Sequence, residues 1–171
     1  MSDALLVIDV QQALVDELPA PRRSEFLERL GALLDGARDA GVPVVYVRHD
    51  GSPQELVPGT PGWEIAEAIA PRPGEPIVEK RFGDAFVETN LSDVLSALQA
   101  DHLIASGMQT DHCVAATVRG AGQRGYRVTL VEDAHATYDW DGKSEAQIRD
   151  EMQREAVERG VRLVSAADAF A

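Results

Sequence analysis

Apolar residues in this chain gather into short unbroken runs, at 4–8, 44–47, 77–78, 103–105, 128–131 and 161–164. A strand with one wet face alternates apolar and polar positions, whereas a strand covered on both faces does not. The runs therefore predict parallel strands in the middle of a sheet. The stretches between them carry helical periodicity. Residues 24–40 place Phe26, Leu27, Leu30, Leu33, Leu34 and Ala37 on one stripe, and Gly41 and Pro43 stop the helix. Asn90 is positioned to cap a helix through Leu91, Val94, Leu95 and Leu98, with Asp93 in its first turn. Ser144 and Gln147 make a capping-box pattern for a helix to Arg159 that Gly160 ends. A run of small residues starts another helix near Asp111. Strand and helix alternating in this way predict an α/β fold. It is a three-layer α/β/α, Rossmann-like arrangement with an open, mainly parallel sheet of about six strands, in one domain over residues 1–171.

One region breaks the rhythm. Residues 49–76 hold six of the nine prolines, four glycines and Trp63. Gly51-Ser52-Pro53, the run from Val57 to Trp63, and Pro71-Arg72-Pro73-Gly74 are turn chemistry. A loop this long is usually functional, as a pocket cover or a subunit contact; the alternative is an inert excursion.

Composition narrows the class. A chain of 171 residues, 44% hydrophobic and 26% charged, is an ordinary globular domain with room for a full core. No apolar stretch approaches the roughly 20 residues of a membrane span, and the first apolar run ends at Asp9, so it reads as a strand and not a signal peptide. A single cysteine excludes an internal disulfide and points to a cytoplasmic setting. A net charge of −13 argues against nucleic acid or an anionic membrane as partner. Lys80 and Lys143 are the only lysines beside 14 arginines, so each lysine draws attention as a compact point charge.

Chemistry collects at the ends of the predicted strands. In an open parallel sheet, ligands bind at the carboxyl edge. Asp9 ends the first run, Glu79 and Lys80 end the third, and Cys113 follows the fourth, where strand gives way to helix. A helix N-terminus favours a thiolate, the nucleophilic form of cysteine. An acid, an ammonium and a thiol on one edge can cooperate: the ammonium stabilises the thiolate, and the carboxylate moves the proton. Taken singly, each has a plainer reading. Asp9 is then a turn acid, Lys80 a solvated charge and Cys113 a small buried hydrophobe.

These same segments resemble the isochorismatase-like cysteine hydrolases, which include nicotinamidases, N-carbamoylsarcosine amidases and ureidoacrylate amidases. The resemblance runs over nearly the whole chain. Ala4-Leu5-Leu6-Val7-Ile8-Asp9-Val10-Gln11 is similar to the family's opening strand with its acid, and Val78-Glu79-Lys80-Arg81-Phe82-Gly83-Asp84-Ala85-Phe86 to its lysine segment. Gly107-Met108-Gln109-Thr110-Asp111-His112-Cys113-Val114 is similar to its nucleophile turn, Gly-x-x-Thr-x-x-Cys-Val, and Val131-Glu132-Asp133-Ala134 to its late strand end. The resemblance implies a triad of Asp9, Lys80 and Cys113. It also implies a cis peptide before Gln109, and an oxyanion hole from the N–H groups of Gln109 and Cys113. Gln11, Trp63, Phe82 and Phe86 are the candidates to contact substrate, with core packing as the plainer role for the aromatics, Phe86 above all. Family members commonly form dimers or larger assemblies, which implies a homo-oligomer here.

Other features read as departures or decoys. Metal-dependent nicotinamidases carry Asp-x-His after the second strand and further histidines beyond it. Here the place reads Arg48-His49-Asp50 and the next histidine is His102, so no metal and no other cofactor is expected. His49 then serves as a hydrogen-bonding or rim residue. His112 should point away from Cys113, and His102 and His135 read as strand-flanking surface residues. Gly120-Ala121-Gly122-Gln123-Arg124-Gly125 matches a dinucleotide fingerprint, but it follows a helix and precedes a strand, the reverse of a phosphate cradle, so it reads as a helix stop. Three functions remain: a metal-independent cysteine hydrolase of a small amide, carbamoyl, ureido or lactam substrate; an isochorismatase-type vinyl ether hydrolase, against which Cys113 counts; and a non-catalytic α/β binding domain.

Overall fold

A computed structural model describes residues 2–51 and 56–171. Six strands form one parallel sheet in the order β3-β2-β1-β4-β5-β6. They are β1 (Asp3–Ile8), β2 (Val44–His49), β3 (Ile77–Lys80), β4 (His102–Met108), β5 (Arg127–Ala136) and β6 (Arg162–Val164). Five of the predicted runs lie wholly within a strand, and the run at 161–164 overlaps β6 from Arg162 on. Strands β2, β3, β4 and β5 extend past their apolar runs because hydrogen-bonded pairing continues toward the carboxyl edge.

The continuous apolar pattern has the expected cause. In β1, Leu5 and Val7 join one core, while Ala4, Leu6 and Ile8 join the other. The first core is closed by α1 (Gln12–Asp16) and α2 (Ala20–Asp39), through Leu14, Phe26, Leu30, Leu33, Leu34 and Ala37. The second is closed by α3 (Leu91–Ala97), α4 (Ala115–Gln123) and α5 (Glu145–Glu158), through Leu91, Leu95, Val118, Ala121 and Met152. This is the expected α/β/α arrangement.

Helix boundaries follow capping chemistry with two exceptions. The Ser144–Gln147 capping box is formed in both directions. Helix α2 begins four residues before position 24, because Pro21 sits in the first turn, where a missing N–H is harmless. Asn90 makes no side-chain cap to α3; the Thr89 hydroxyl accepts from Leu91 N–H instead, at 3.2 Å. The short helix α1 had no periodic signal. Gly120 lies inside α4, and Gly125 follows it with φ 87°, so the fingerprint-like motif marks a helix end as expected. Among the described residues no helix is long and apolar enough to cross a membrane.

The proline-rich region is not an inert excursion. The turn expected at Gly51-Ser52-Pro53 lies partly outside the described residues. Beyond it, Leu56, Trp63, Ile65, Ala66 and Ile69 are buried in the first core. Ala66 N–H donates to Val10 C=O and Gln12 N–H to Glu64 C=O, each at 2.9 Å, so the segment is laced to the residues that leave β1.

Candidate active site

Sheet order explains which side chains meet. Strands β1, β2 and β3 step outward in one direction, and the chain then returns to place β4 on the other side of β1. The switch point between β1 and β4 opens a crevice at the carboxyl edge. Across that edge stand Lys80 at the end of β3, His49 at the end of β2, Asp9 just past β1, and Cys113 beyond β4. Residues His49 and Lys80 are register partners.

Local backbone aims two of these groups. Asp9 has φ 50°, a left-handed conformation that aspartate tolerates better than most residues and that turns the chain out of β1. Gly107 has φ 121°, and a Cβ there would lie 2.1 Å from the Ile8 carbonyl oxygen. Only glycine lets β4 approach β1 this closely. The Met108–Gln109 peptide that follows is cis, as the resemblance implied. Cys113 then sits in a π-helical turn, Thr110–Val114, that leads into α4.

Lysine length completes the cluster. The Lys80 stem passes the end of β2 and delivers Nζ to 2.9 Å from Asp9 Oδ2 and 3.1 Å from Cys113 Sγ. It also reaches 2.8 Å from His49 Nδ1 and 2.9 Å from the Phe82 carbonyl oxygen. Lys80 and Asp9 are each 1% exposed, so the pair is held away from water. The second carboxylate oxygen, Asp9 Oδ1, is buried without a hydrogen-bond partner among the described residues. Burial pushes the Cys113 thiol up to about 12; the Asp9 carboxylate adds to the rise, and Lys80 opposes it. Burial and the neighbouring acid thus oppose the thiolate that a helix N-terminus favours, and Lys80 is the group that supports it.

Asp9, His49 and Cys113 are ligand types for a metal, and their ligand atoms lie within 4.8 Å of one another. The Lys80 ammonium touches all three, so a cation already fills the electrostatic centre of that triangle. A divalent ion would be forced against the ammonium at close range. The residues present do not fit a metal.

The structure sorts the proposed substrate contacts. Phe82 is 48% exposed beside the cluster, while Gln11, Trp63 and Phe86 are 0%, 8% and 7% exposed. Both Gln11 amide protons go to backbone carbonyls, of His49 at 2.9 Å and Trp63 at 2.8 Å, and its Oε1 accepts from His49 N–H at 2.9 Å. Gln11 is thus a clasp behind the edge, with no polar atom left for a ligand. Trp63 donates to Asp50 Oδ1 at 2.7 Å and lies under the Arg48 guanidinium, 3.5 Å from its ring centroid. Phe86 stacks on Tyr126 in the second core, the plainer of the two roles set out for it.

The histidines divide differently from their expected places. The His112 side chain is 55% exposed, near Asp111 and away from the cluster, as expected. His102 is part-buried between Asp3 and Thr129. His135, expected at the surface, is 3% exposed. The register of β4 against β5 shifts after Ala105, and this brings His135 opposite Gly107. Its Nδ1 meets the Thr110 hydroxyl at 2.8 Å and its Nε2 meets Gln153 Nε2 at 3.0 Å. Since Gln153 Nε2 also donates to Glu132 C=O, it is the donor to the ring, and His135 donates through Nδ1 to the nucleophile turn. Burial pulls His135 down to about 4, with Arg149 adding to the shift, so the ring is neutral. Of these two histidines, His49 carried a signal, its strand-end position. The place of His135 depends on the register shift and carried none.

Comparison with known proteins identifies the family. The chain is 44% identical over 138 residues to a streptothricin hydrolase of Streptomyces noursei, covering 80% of this chain and 50% of that protein. It thus spans about half the length of that relative. It is 31% identical over 149 residues to a maleamate amidohydrolase of Pseudomonas putida, covering 76% and 70%. The structure of an N-carbamoylsarcosine amidase from Thermoplasma acidophilum superposes with a TM-score of 0.83 at 27% identity, over 100% of each chain. A family model described as the isochorismatase domain matches residues 3–168. A match of that extent, on a fold whose switch point gathers the acid, the lysine and the cysteine, makes this chain a member of the isochorismatase family.

Proposed function

We propose that this chain is a metal-independent cysteine hydrolase that cleaves a C–N bond of a small amide, carbamoyl, ureido or lactam substrate. The observation that carries the reading is the single ammonium joined to both Asp9 Oδ2 and Cys113 Sγ. The activities of relatives, a maleamate amidohydrolase and a ureidoacrylate amidohydrolase among them, support the bond class.

The resting thiol gives up its proton as it attacks. Asp9 Oδ1, buried and without a hydrogen-bond partner among the described residues, is the nearby acceptor, and Lys80 stabilises the thiolate as it forms. Sγ bonds to the carbonyl carbon, and the carbonyl π pair moves to oxygen, where the N–H groups of Gln109 and Cys113 hold it. The tetrahedral adduct collapses, the C–N bond breaks, and protonated Asp9 delivers its proton to the departing nitrogen. Water, deprotonated by Asp9, then attacks the thioester; the acid leaves and the thiol is restored. Phe82 forms part of the rim against which substrate rests.

The test is ammonia and amine release across a panel of small amides, ureas and lactams, with Cys113→Ala as the blank. With a confirmed substrate, acid quenching should leave an acyl adduct on the peptide containing Cys113. Turnover in Cys113→Ala within tenfold of wild type defeats this reading. Hydrolysis of isochorismate that survives Cys113→Ala would establish the vinyl ether reaction in its place.

A further inference from the structure

The steps above give no task to the buried histidine that touches Lys80. His49 is 4% exposed and stands between Lys80 and Asp9 in the order of the strands. We propose that His49 is a positioning residue for Lys80: its Nδ1 accepts one ammonium proton and thereby fixes Nζ where it can serve Asp9 and Cys113 in turn. This rests on the reading of Asp9, Lys80 and Cys113 as the reacting group.

Proton counting makes the case. An ammonium has three protons and accepts nothing. Among the described residues, four acceptors surround Nζ: His49 Nδ1 at 2.8 Å, Phe82 O at 2.9 Å, Asp9 Oδ2 at 2.9 Å and Cys113 Sγ at 3.1 Å. His49 and the Phe82 carbonyl keep their chemistry throughout the reaction. Asp9 and Cys113 exchange a proton. With two N–H bonds committed to the constant pair, one remains for the changing pair. It points to the carboxylate while Cys113 is a thiol, and to the thiolate once Asp9 holds the proton. The ammonium follows the negative charge without moving its nitrogen.

Because lysine only donates, His49 presents a lone pair at Nδ1 and carries its proton on Nε2. The backbone that carries the ring is held in place, since the Gln11 amide bonds both the N–H and the C=O of His49. Without the ring, a buried ammonium loses one of the bonds that offset its desolvation. Nζ is then no longer held in place beside Cys113 Sγ, and the forming thiolate loses part of its counter-charge.

The experiment is iodoacetamide labelling of Cys113 from pH 6 to 10, read by mass spectrometry, on wild type, His49→Leu, His49→Asn and His49→Gln. Asparagine offers an oxygen close to the position of Nδ1, whereas glutamine offers one a bond further out. His49→Leu and His49→Gln should label about tenfold more slowly at neutral pH, with the profile displaced to higher pH. His49→Asn should return to within about threefold of wild type. On any substrate found, kcat should follow the labelling order while KM changes little. Wild-type labelling in His49→Leu overturns the proposal, as does equal impairment of all three variants, which would mark a packing role. Should His49→Leu fail to fold, the contrast between asparagine and glutamine decides. Labelling needs no substrate, so its outcome is separate from that of the Cys113→Ala turnover test.

Discussion

At the scale of single residues, the cluster is a balance of opposed charges around one sulfur. Asp9 and Lys80 push the Cys113 thiol in opposite directions, and burial adds to the acid. Removing each should therefore move labelling in opposite senses. Asp9→Asn should speed iodoacetamide labelling at neutral pH about tenfold or more, because a cause of the raised thiol is gone, yet turnover should stop for want of a proton carrier. Lys80→Ala should slow both. Lys80→Arg should also impair turnover, because a planar fork cannot direct three protons from one point. The same rate of labelling in all of these variants would show that neither residue tunes the thiol. Prolonged chelation should leave turnover intact, since the ammonium fills the only place where Asp9, His49 and Cys113 converge. Loss of activity that zinc, iron or manganese restores would refute that.

At the scale of elements, β1 and β4 are held at a separation that one glycine permits. Gly107→Ala should destabilise by roughly 3 kcal/mol or more, since its φ disfavours a side chain and its Cβ would strike Ile8 backbone. Gly31→Ala, within α2 and with nothing inside 4 Å of the added carbon, should stabilise by about 0.5–1 kcal/mol. Chemical denaturation of the two variants provides the comparison. Strand β5 contributes a pH dependence. His135 is held near 4 when folded and returns to an ordinary 6.5 when unfolded, so the unfolded chain binds the extra proton. Stability from this group is complete above pH 6.5 and falls as the pH drops toward 4, by roughly 3 kcal/mol in all. Unfolding midpoints measured across that window should fall less steeply in His135→Gln than in wild type.

At the scale of the whole molecule, charge and topology act separately. A net charge of −13 with an isoelectric point near 4.6 opposes non-specific association at neutral pH. Solubility should pass through a minimum near pH 4.6. Light scattering against pH will locate it, and a minimum elsewhere would mean that buried groups dominate the titration. Topology has a different consequence. Because β4 returns to the far side of β1, residues distant in sequence share one edge, and the span of two strands between β3 and β1 is bridged by the longest available cationic stem.

The sequence by itself determined the layers, the six strands, the helix-end motif at residues 120–125 and the edge on which Asp9, Lys80 and Cys113 stand. These depend on local periodicity, strand-end position and turn chemistry, all of which are written in neighbouring residues. The closing contacts were decided elsewhere. Nothing near Gln11 in sequence shows that its amide is consumed by the backbone of His49 and Trp63. Nothing near His135 shows that a register shift in β5 buries it against Thr110. The upward push on the Cys113 thiol likewise follows from its burial and from an acid 104 positions away in the chain. Hydrogen-bond partners and desolvation are properties of packed neighbours, and only the assembled sheet brings those neighbours together.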